Sequence, residues 1–307
     1  MMLELDEKKI RKGRPLGLPY QGSKKKISKK IVEIIKQNFG TDKPIYDIFG
    51  GGGAITAECL LNGLEVHYND LDETVTSMFQ KVVSEDRDYL KTLIVSRDEF
   101  FRIREKENKT VDDNLKLLVN SFGNNKRSYL YSEKLSDSKY NLAVEIIEKY
   151  DAFDGYRKTE TYLGAKDIFK DQDCQKTQQD RMDRLQQLQR LQQLERLQQL
   201  GRLQQAEATN LDYTEFSGVE NAILYLDPPY QNTELDGYSV KYFDNQSFYN
   251  WAYEMSKKNI VLISSYEISD ERFGCVYEFK KARCTLQRGT NNNNKTEKLF
   301  MVKKGVK

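Results

Sequence analysis

The sequence predicts an α/β fold, in which a parallel sheet is covered by helices and closed by a terminal antiparallel hairpin. An apolar, β-branched and aromatic run within NAILYLDPPYQNT (221–233) ends at Asp227 and is typical of a buried parallel strand. A strand, a glycine turn and a helix follow one another in PIYDIFGGGGAITAECLLNG (44–63). Another predicted strand, within EVHYNDLDE (65–73), ends at Asp70. The 307 residues suffice for one large domain or one domain with an insertion.

Composition narrows the possible functions. The four cysteines show no C-x-x-C spacing, which fits reduced thiols of a cytosolic protein better than disulfides or a zinc site. His67 is the only histidine and lies inside a predicted strand, which argues against a Ser-His-Asp triad, a Cys–His pair or a zinc deaminase. No apolar run is long enough to span a membrane, and no signal peptide is recognisable. We therefore expect a cytoplasmic protein.

The first 36 residues are basic, with eleven Lys and Arg against four acids, although the whole chain carries a net charge of only +2. This segment is either a solvated arm or a surface that meets phosphate. Isoleucines at helical spacing after Gly22-Ser23 predict a helix. Tyr20 and Lys24 precede it, where backbone N–H groups and an ammonium can bind an anionic group. A lysine-rich helix start without a ligand is the alternative.

The glycine turn suggests a nucleotide-like ligand. Ile45–Phe49 predicts a strand, Gly50–Gly53 a tight turn and Ala54–Leu61 a helix, an order that brings ligands against backbone N–H groups. No G-x-x-x-x-G-K-[ST] pattern is present, so triphosphate binding is not supported. Asp47, at the strand end, can accept from an ammonium. Asp70 follows the turn near the distance at which βαβ units place a ribose-hydroxyl acceptor.

The DPPY turn places several polar groups at the carboxyl end of a strand, where open α/β sheets bind ligands. Pro228 and Pro229 have no N–H, and each restricts the residue before it to extended geometry. The stiff turn presents the Asp227 carboxylate, a backbone carbonyl and the Tyr230 ring. Such an acceptor pair beside a ring suits a planar base with an exocyclic amine. A turn that merely ends the strand is the alternative.

Residues 74–170 are polar and partly helical, without repeated strand–turn–helix patterns. Within them, the loop SFGNNKRSYLYS (121–132) mixes amide, basic and aromatic side chains. Amides and arginine can recognise base edges, lysine and tyrosine can reach phosphates, and aromatic rings can stack. A polar loop that joins two helices is the alternative. The candidate DNA-binding residues are Asn124, Asn125, Lys126, Arg127 and Tyr129.

Residues 184–205 form an internal repeat, RLQQLQ, RLQQLE, RLQQLG and RLQQ, with a leucine at every third position. On an α-helix a period of three drifts by about 60° per step, so the leucines spiral and do not form a heptad coiled coil. A long 3₁₀ helix would align them but is uncommon. We expect an extended helical insert of variable length without a catalytic role, which either lies at a domain edge or mediates self-association.

The end of the chain completes the predicted sheet. A short strand ending at Asp212 precedes the strand of the DPPY turn, and a helix over Gln246–Lys257 precedes another buried strand over Asn259–Glu267. The last two strands, in CVYEFKKARCTL and EKLFMVKK, are separated by GTNNNNK, which predicts a flexible hairpin loop.

Taken in order, PYQGSK, DIFGGGG, the strand ending at Asp70, NLDYTEF and LDPPY resemble the motifs of Dam-like adenine-N6 DNA methyltransferases. The resemblance covers roughly the first seventy and last hundred residues, and the leucine-rich insert resembles those of phage or prophage members. It implies a Rossmann-like S-adenosylmethionine-dependent methyltransferase sheet with a helical target-recognition insertion. The implied domains are catalytic (1–73 and 206–307), target-recognising (74–170) and hexad-repeat (171–205). The loop 121–132 matches GATC-specific members poorly.

The resemblance also implies the site. S-adenosylmethionine, with S-adenosylhomocysteine as product and no metal, would bind to residues of the strand ends and the glycine turn. These are Tyr20, Lys24, Asp47, Phe49, Gly50, Gly51, Gly52, Gly53, Asp70 and Asp212. An adenine flipped out of double-stranded DNA would be bound by Asp227, Pro228, Pro229 and Tyr230. A role in restriction-modification would fit such an enzyme.

Two other classes remain open from the residues. One is an enzyme of the same fold that methylates cytosine N4 or an RNA adenine, although an aspartate at the head of the motif favours adenine. The other is a non-catalytic DNA-binding or scaffold protein in which the hexads mediate assembly. The intact DPPY turn and the glycine turn argue against this second class.

Overall fold

A computed structural model describes residues 2–20, 23–170, 185–203, 208–229, 243–279 and 296–303. The contacts within the chain divide it into two compact units. Unit 1 comprises Met1–Pro15, Lys24–Thr76 and Gln204–Lys307. Unit 2 comprises Leu16–Ser23 and Ser77–Leu203. The predicted hairpin loop GTNNNNK lies outside the described residues.

The described strands of unit 1 form one seven-stranded sheet in the order β3-β2-β1-β4-β5-β7-β6. The strands are β1 Ile45–Asp47, β2 Val66–Asn69, β3 Ala208–Thr209, β4 Ile223–Leu226, β5 Ile260–Ser265, β6 Phe273–Glu278 and β7 Lys298–Val302. The first five in spatial order are parallel, and β7 runs antiparallel to both β5 and β6. The predicted parallel sheet with an antiparallel closing hairpin is confirmed.

Helices cover both faces of this sheet. The helices of unit 1 are α1 Ser28–Phe39, α2 Ala54–Leu61 and α10 Asn245–Met255, and α3 Glu73–Ser84 leads from unit 1 into unit 2. Tyr225 of β4 packs in the cluster that contains α1 and α2, whereas Leu224 and Leu226 pack in the cluster that contains α10. Because both faces are buried, β4 is apolar at every position.

The basic start of the chain is tied into unit 1 by internal contacts. The amide of Leu3 donates to the carbonyl of Val276 at 2.8 Å, which joins the N-terminal segment to β6. Arg11 makes two bonds of 2.8 Å to the buried carboxylate of Glu58 on α2. Further ion pairs join Lys30 to Glu7, Lys36 to Glu33 and Lys24 to Asp227. Acids of the same chain therefore neutralise part of the predicted positive excess.

Unit 2 is helical in its described part. Its helices are α4 Arg87–Lys91, α5 Arg97–Arg104, α6 Val111–Asn120, α7 Glu133–Tyr150, α8 Glu160–Lys170 and α9 Gln186–Leu203. The strand pairing found there is an isolated bridge between Ser121 and Tyr129. Across the described ranges of the whole chain, no helix combines the length and the apolar character needed to cross a membrane.

The described part of the hexad repeat forms α9, an α-helix in the core of unit 2. Five of its leucines are fully buried, at 0% exposure: Leu185, Leu188, Leu191, Leu194 and Leu197. The leucines do spiral around the helix, as predicted, so they form no single apolar stripe and are buried against other elements of unit 2. The contacts place α9 in the same unit as the described residues 77–170.

Individual glutamines of the repeat make different contacts. Gln187 donates to Asn120 Oδ1 at 2.5 Å, whereas Gln198 donates to the carbonyl of Glu85 at 2.6 Å. Gly201 packs so closely that a Cβ there would lie 2.6 Å from a side-chain carbon of Val83. Loss of one hexad would turn the rest of α9 by about 240° and shift it by about 9 Å. These contacts therefore favour a repeat of fixed length.

Because Leu191 is fully buried within the chain, we expect Leu191→Ala to lower the free energy of unfolding by about 2–5 kcal/mol. Urea denaturation measures this loss, and the midpoint should not depend on protein concentration. The exposed Gln199→Ala on the same helix is the control and should change stability by less than about 0.5 kcal/mol. A midpoint that rises with protein concentration would instead place the leucines in contacts between chains.

Candidate active site

The four aspartates that were predicted as site residues lie at one edge of the sheet. Asp47 ends β1, Asp70 follows β2, Asp212 follows β3 and Asp227 follows β4. These four strands are neighbours in the order β3-β2-β1-β4 and are parallel. Since the carboxyl ends of parallel strands meet at the same edge, residues far apart in the sequence are brought into one site.

Asp47 is a buried carboxylate, at 1% exposure. Its Oδ2 accepts from the amide of Thr56 at 3.0 Å and from the Thr56 hydroxyl at 2.6 Å. Its Oδ1 has no donor in the part of the chain that the structure describes. Burial raises the pKa of Asp47 to about 7, and the charges of Asp227 and Asp70 add to the increase. A buried carboxylate with a remaining acceptor suits a positively charged group of a ligand.

The glycine turn packs against the end of β2. Gly51 and Gly53 have φ of 49° and 69°, in the left-handed region that glycine adopts readily. A Cβ at Gly50 would lie 2.4 Å from the ring of Tyr68, so no larger residue fits there. The amide of Gly51 donates to Asp70 Oδ2 at 2.7 Å. The last residue of the turn, Gly53, caps the N-terminus of α2. The predicted bounds of α2 are confirmed.

Asp70 is bonded through both oxygens, since Oδ1 accepts from the amide of Asp72 at 2.8 Å. Burial raises its pKa to about 6, against these hydrogen bonds. Asp212 is half-buried, and its Oδ1 accepts from the amide of Thr214 at 2.9 Å, which caps the 3₁₀ turn Tyr213–Gly218. Each carboxylate oxygen can accept a further hydrogen bond, so both residues can still contact a ligand.

Asn69 is a site residue that the sequence did not reveal. Its amide nitrogen donates to the carbonyls of Ile48 and Leu211, at 3.0 and 2.9 Å. Its Oδ1 accepts from the amide of Leu211 at 2.9 Å. One buried side chain thus ties the segments after β1 and β3 to the end of β2. In the sequence, the signal that could have indicated Asn69 as a site residue is its position as a polar residue directly before Asp70.

Phe49 lies in a group of aromatic side chains at the same edge. Its ring is 6.1 Å from that of Tyr213, at an interplanar angle of 29°, and 5.7 Å from that of Phe248. Phe49 is half-buried.

Asp227 forms an ion pair with Lys24. Asp227 Oδ1 is 2.9 Å from Lys24 Nζ, and the two side chains are only 16% and 13% exposed. Glu297 Oε1 lies 3.6 Å from the same ammonium. Pro228 is buried and Pro229 is half-buried, while Tyr230 lies outside the described residues. Lys24, predicted to contact the cofactor, is thus brought directly to Asp227.

Tyr20 belongs to unit 2 by its contacts, where its amide donates to the carbonyl of Leu18 at 2.8 Å.

The predicted DNA-binding loop is a tight turn in unit 2. Asn124 and Lys126 have φ of 60° and 56°. The side chain of Asn125 accepts from the amides of Arg127 and Ser128 at 2.8 and 3.0 Å, as in an Asx turn. Asn124, Asn125 and Lys126 are half-buried, and Arg127 is exposed.

Tyr129 requires a correction, because the sequence-based prediction placed it among the DNA-binding residues. It is only 3% exposed, its ring packs against Phe100 and Tyr131, and its hydroxyl donates to the carbonyl of Val95 at 2.8 Å. Its aromatic ring and its hydroxyl therefore both serve the core of unit 2. In the sequence, an aromatic residue beside a basic loop does not reveal which way the chain turns.

Comparison with known proteins identifies the family. The sequence profile of the D12 class N6 adenine-specific DNA methyltransferases matches residues 20–284. Among curated proteins the chain has no significant match. Among solved structures it is similar to the rRNA methyltransferase aviRa from Streptomyces viridochromogenes, with a TM-score of 0.36 and 9% identity over 90% of this chain and 84% of that one. On the profile match, which spans most of its length, the chain belongs to the D12 class N6 adenine-specific DNA methyltransferases.

Proposed function

We propose that this chain carries out the family's reaction, S-adenosylmethionine-dependent methylation of adenine N6 in DNA, at the edge where β1, β2 and β4 end. The observation that carries the proposal is the convergence of Asp47, Asp70 and Asp227 at that edge. The target adenine is flipped out of double-stranded DNA, at a cost of a few kcal/mol for unstacking. Stacking on the Tyr230 ring offsets part of that cost.

The residues of unit 1 suit S-adenosylmethionine, which carries an ammonium and a sulfonium. Asp47 offers an acceptor oxygen in a buried position where its own charge is otherwise costly. In this proposal the glycine turn Gly50–Gly53 approaches the cofactor through its backbone, Asp70 and Asp212 accept from its hydroxyl or amino groups, and Phe49 contacts its apolar surface. Lys24 of unit 1 belongs to the set predicted from the sequence, whereas Tyr20, also predicted, belongs to unit 2.

The reaction requires an available lone pair on adenine N6, where it is normally delocalised into the ring. Hydrogen bonds from the amino group to the Asp227 carboxylate and the Pro228 carbonyl favour a pyramidal nitrogen with the lone pair free. When bound, S-adenosylmethionine supplies the methyl group and leaves as S-adenosylhomocysteine. As the N–C bond forms and the methyl C–S bond breaks, positive charge would develop on N6 next to Asp227, and N6 would then release a proton to water. Positioning and electrostatics suffice, without a histidine base.

In this proposal unit 1 is the catalytic domain, and unit 2 recognises the target sequence. The exposed Arg127 is the foremost DNA-contacting residue, joined by Asn124, Asn125 and Lys126. Exposed residues of α9, such as Arg196 and Gln199, would carry any self-association, because five leucines of the repeat are buried within the chain. The reaction would take place in the cytoplasm of a bacterium or a phage-infected host, in restriction-modification or phage DNA modification.

We expect Asp227→Ala to abolish methyl transfer while S-adenosylmethionine binding survives, since Asp227 contacts the target amine and not the cofactor. Single-turnover methylation and isothermal titration calorimetry measure the two properties on one preparation. Asp42→Ala removes an exposed aspartate of unit 1 and should leave both unchanged. Equal loss of binding and transfer in Asp227→Ala would indicate a folding defect and would contradict the assigned role.

The raised pKa of Asp47 gives a second prediction. Its pKa in the folded protein is about 7, against an ordinary value of 3.8. The stability that the neutral carboxyl contributes is therefore complete below pH 3.8 and is lost as the pH rises to about 7. A positively charged ligand favours the ionised form, so its binding near about pH 6 should release a proton, and its affinity should rise through about pH 7.

Calorimetry in buffers of different ionisation enthalpy measures this proton release. Asp47→Asn should lower the proton release and weaken cofactor binding, yet unfold at a higher urea concentration than wild type at about pH 8. Asp70, whose pKa is raised to about 6, remains able to titrate in this variant. Unchanged proton release in Asp47→Asn would show that Asp47 does not meet the charge of the cofactor.

A further inference from the structure

The antiparallel strand β7 brings an additional carboxylate to the active-site edge. Ser264 and Ser265, at the carboxyl end of β5, pair with Leu299 and Lys298, at the start of β7. Glu297 directly precedes β7 and therefore lies at the edge where the parallel strands end. The motifs that carry the family resemblance do not include Glu297.

Glu297 contacts the ion pair of Asp227. Its Oε1 accepts from the Ser264 hydroxyl at 2.7 Å and lies 3.6 Å from Lys24 Nζ. The same ammonium is 2.9 Å from Asp227 Oδ1. The side chains of Lys24, Asp227 and Glu297 are all less than one fifth exposed. One ammonium thus lies between two largely buried carboxylates, one of which is fixed by a serine.

The proposed reaction makes two groups compete for Asp227. Lys24 pairs with this carboxylate, and the amino group of the target adenine must donate to it. If Lys24 had no other carboxylate nearby, binding of the amine would weaken the pairing of a largely buried ammonium, which is costly. Glu297 offers a second acceptor at a short distance from the same nitrogen.

We propose that Glu297 is a positioning residue. When the target amine binds, the Lys24 ammonium pairs with the Glu297 carboxylate, and Asp227 can then accept a hydrogen bond from adenine N6. This inference rests on the proposed function of Asp227. It predicts an effect of the Glu297 charge on the methyl-transfer step that is transmitted through Lys24.

Glu297→Gln isolates the charge, because the amide oxygen still accepts from Ser264 and the size of the side chain is kept. Glu278→Gln is the matched control: it removes an exposed carboxylate of β6 opposite Lys298 of β7, at the same end of that strand. Methylation of unmethylated duplex DNA gives kcat and KM, calorimetry gives cofactor affinity, and urea denaturation reports folding.

For Glu297→Gln we expect kcat to fall about tenfold, the scale of losing one charged hydrogen-bond partner, with cofactor affinity changed by less than about twofold. Glu278→Gln should behave as wild type. A double-mutant cycle with Lys24→Met tests whether the effect of Glu297 on kcat is transmitted through Lys24. In the Lys24→Met background, Glu297→Gln should lower kcat no further, because the ammonium through which it acts is gone.

An unchanged kcat in Glu297→Gln, or the same fold-loss with and without Lys24, would overturn the inference. A fall in kcat that matches a fall in the urea midpoint would assign Glu297 a structural role and overturn it too. If wild type and Glu278→Gln methylate adenine while Glu297→Gln does so equally well, the inference fails and the proposed function stands. If wild type itself does not methylate adenine in DNA, the proposed function fails and the inference fails with it.

Discussion

Burial of carboxylates at one edge of the sheet is the constraint on which the candidate active site depends. The order β2-β1-β4 brings Asp70, Asp47 and Asp227 together, and the raised pKa values of Asp47 and Asp70 show that burial and like charge make ionisation costly. The chain places one ammonium, that of Lys24, beside Asp227. A positively charged cofactor is the natural second cation. The same edge therefore favours a ligand of this charge and, in the proposed function, lets Asp227 accept from a neutral amine.

Much of this arrangement follows from local sequence. An apolar run that ends in an aspartate predicts both a strand and the position of a polar group at its end, and β4 with Asp227 shows that this reasoning holds. Four glycines after a strand predicted the turn and the start of α2, and the predicted bounds of α2 agree with the structure. The general rule that parallel strands end at one edge then joins these separate ends into one site.

Contacts that depend on register between distant segments could not be predicted. Asn69 bonds to Leu211 because β3 pairs with β2, and Glu297 reaches Lys24 because β7 runs back along β5. No local pattern encodes either pairing. The prediction that Tyr129 contacts DNA was wrong for a related reason. Its neighbours in the sequence are basic and polar, whereas its neighbours in space are aromatic.

The hexad repeat is regular in sequence, but its contacts differ from one hexad to the next. A period of three gives no apolar stripe on an α-helix, so the sequence could predict a helix but not the surface it packs against. In the structure, α9 packs against α4 and α6, and glutamines at different positions of the hexads bond to different partners. The repeat is thus a core element of the unit proposed to recognise DNA.

The most direct test of the account is incubation of the protein with methyl-labelled S-adenosylmethionine and unmethylated genomic DNA, followed by nucleoside analysis. The proposed function predicts label in N6-methyladenine. Label in N4-methylcytosine would contradict the assignment of the base while keeping the fold and the cofactor. Absence of label from DNA, with S-adenosylmethionine bound, would contradict DNA methylation and direct attention to RNA or to a scaffold role.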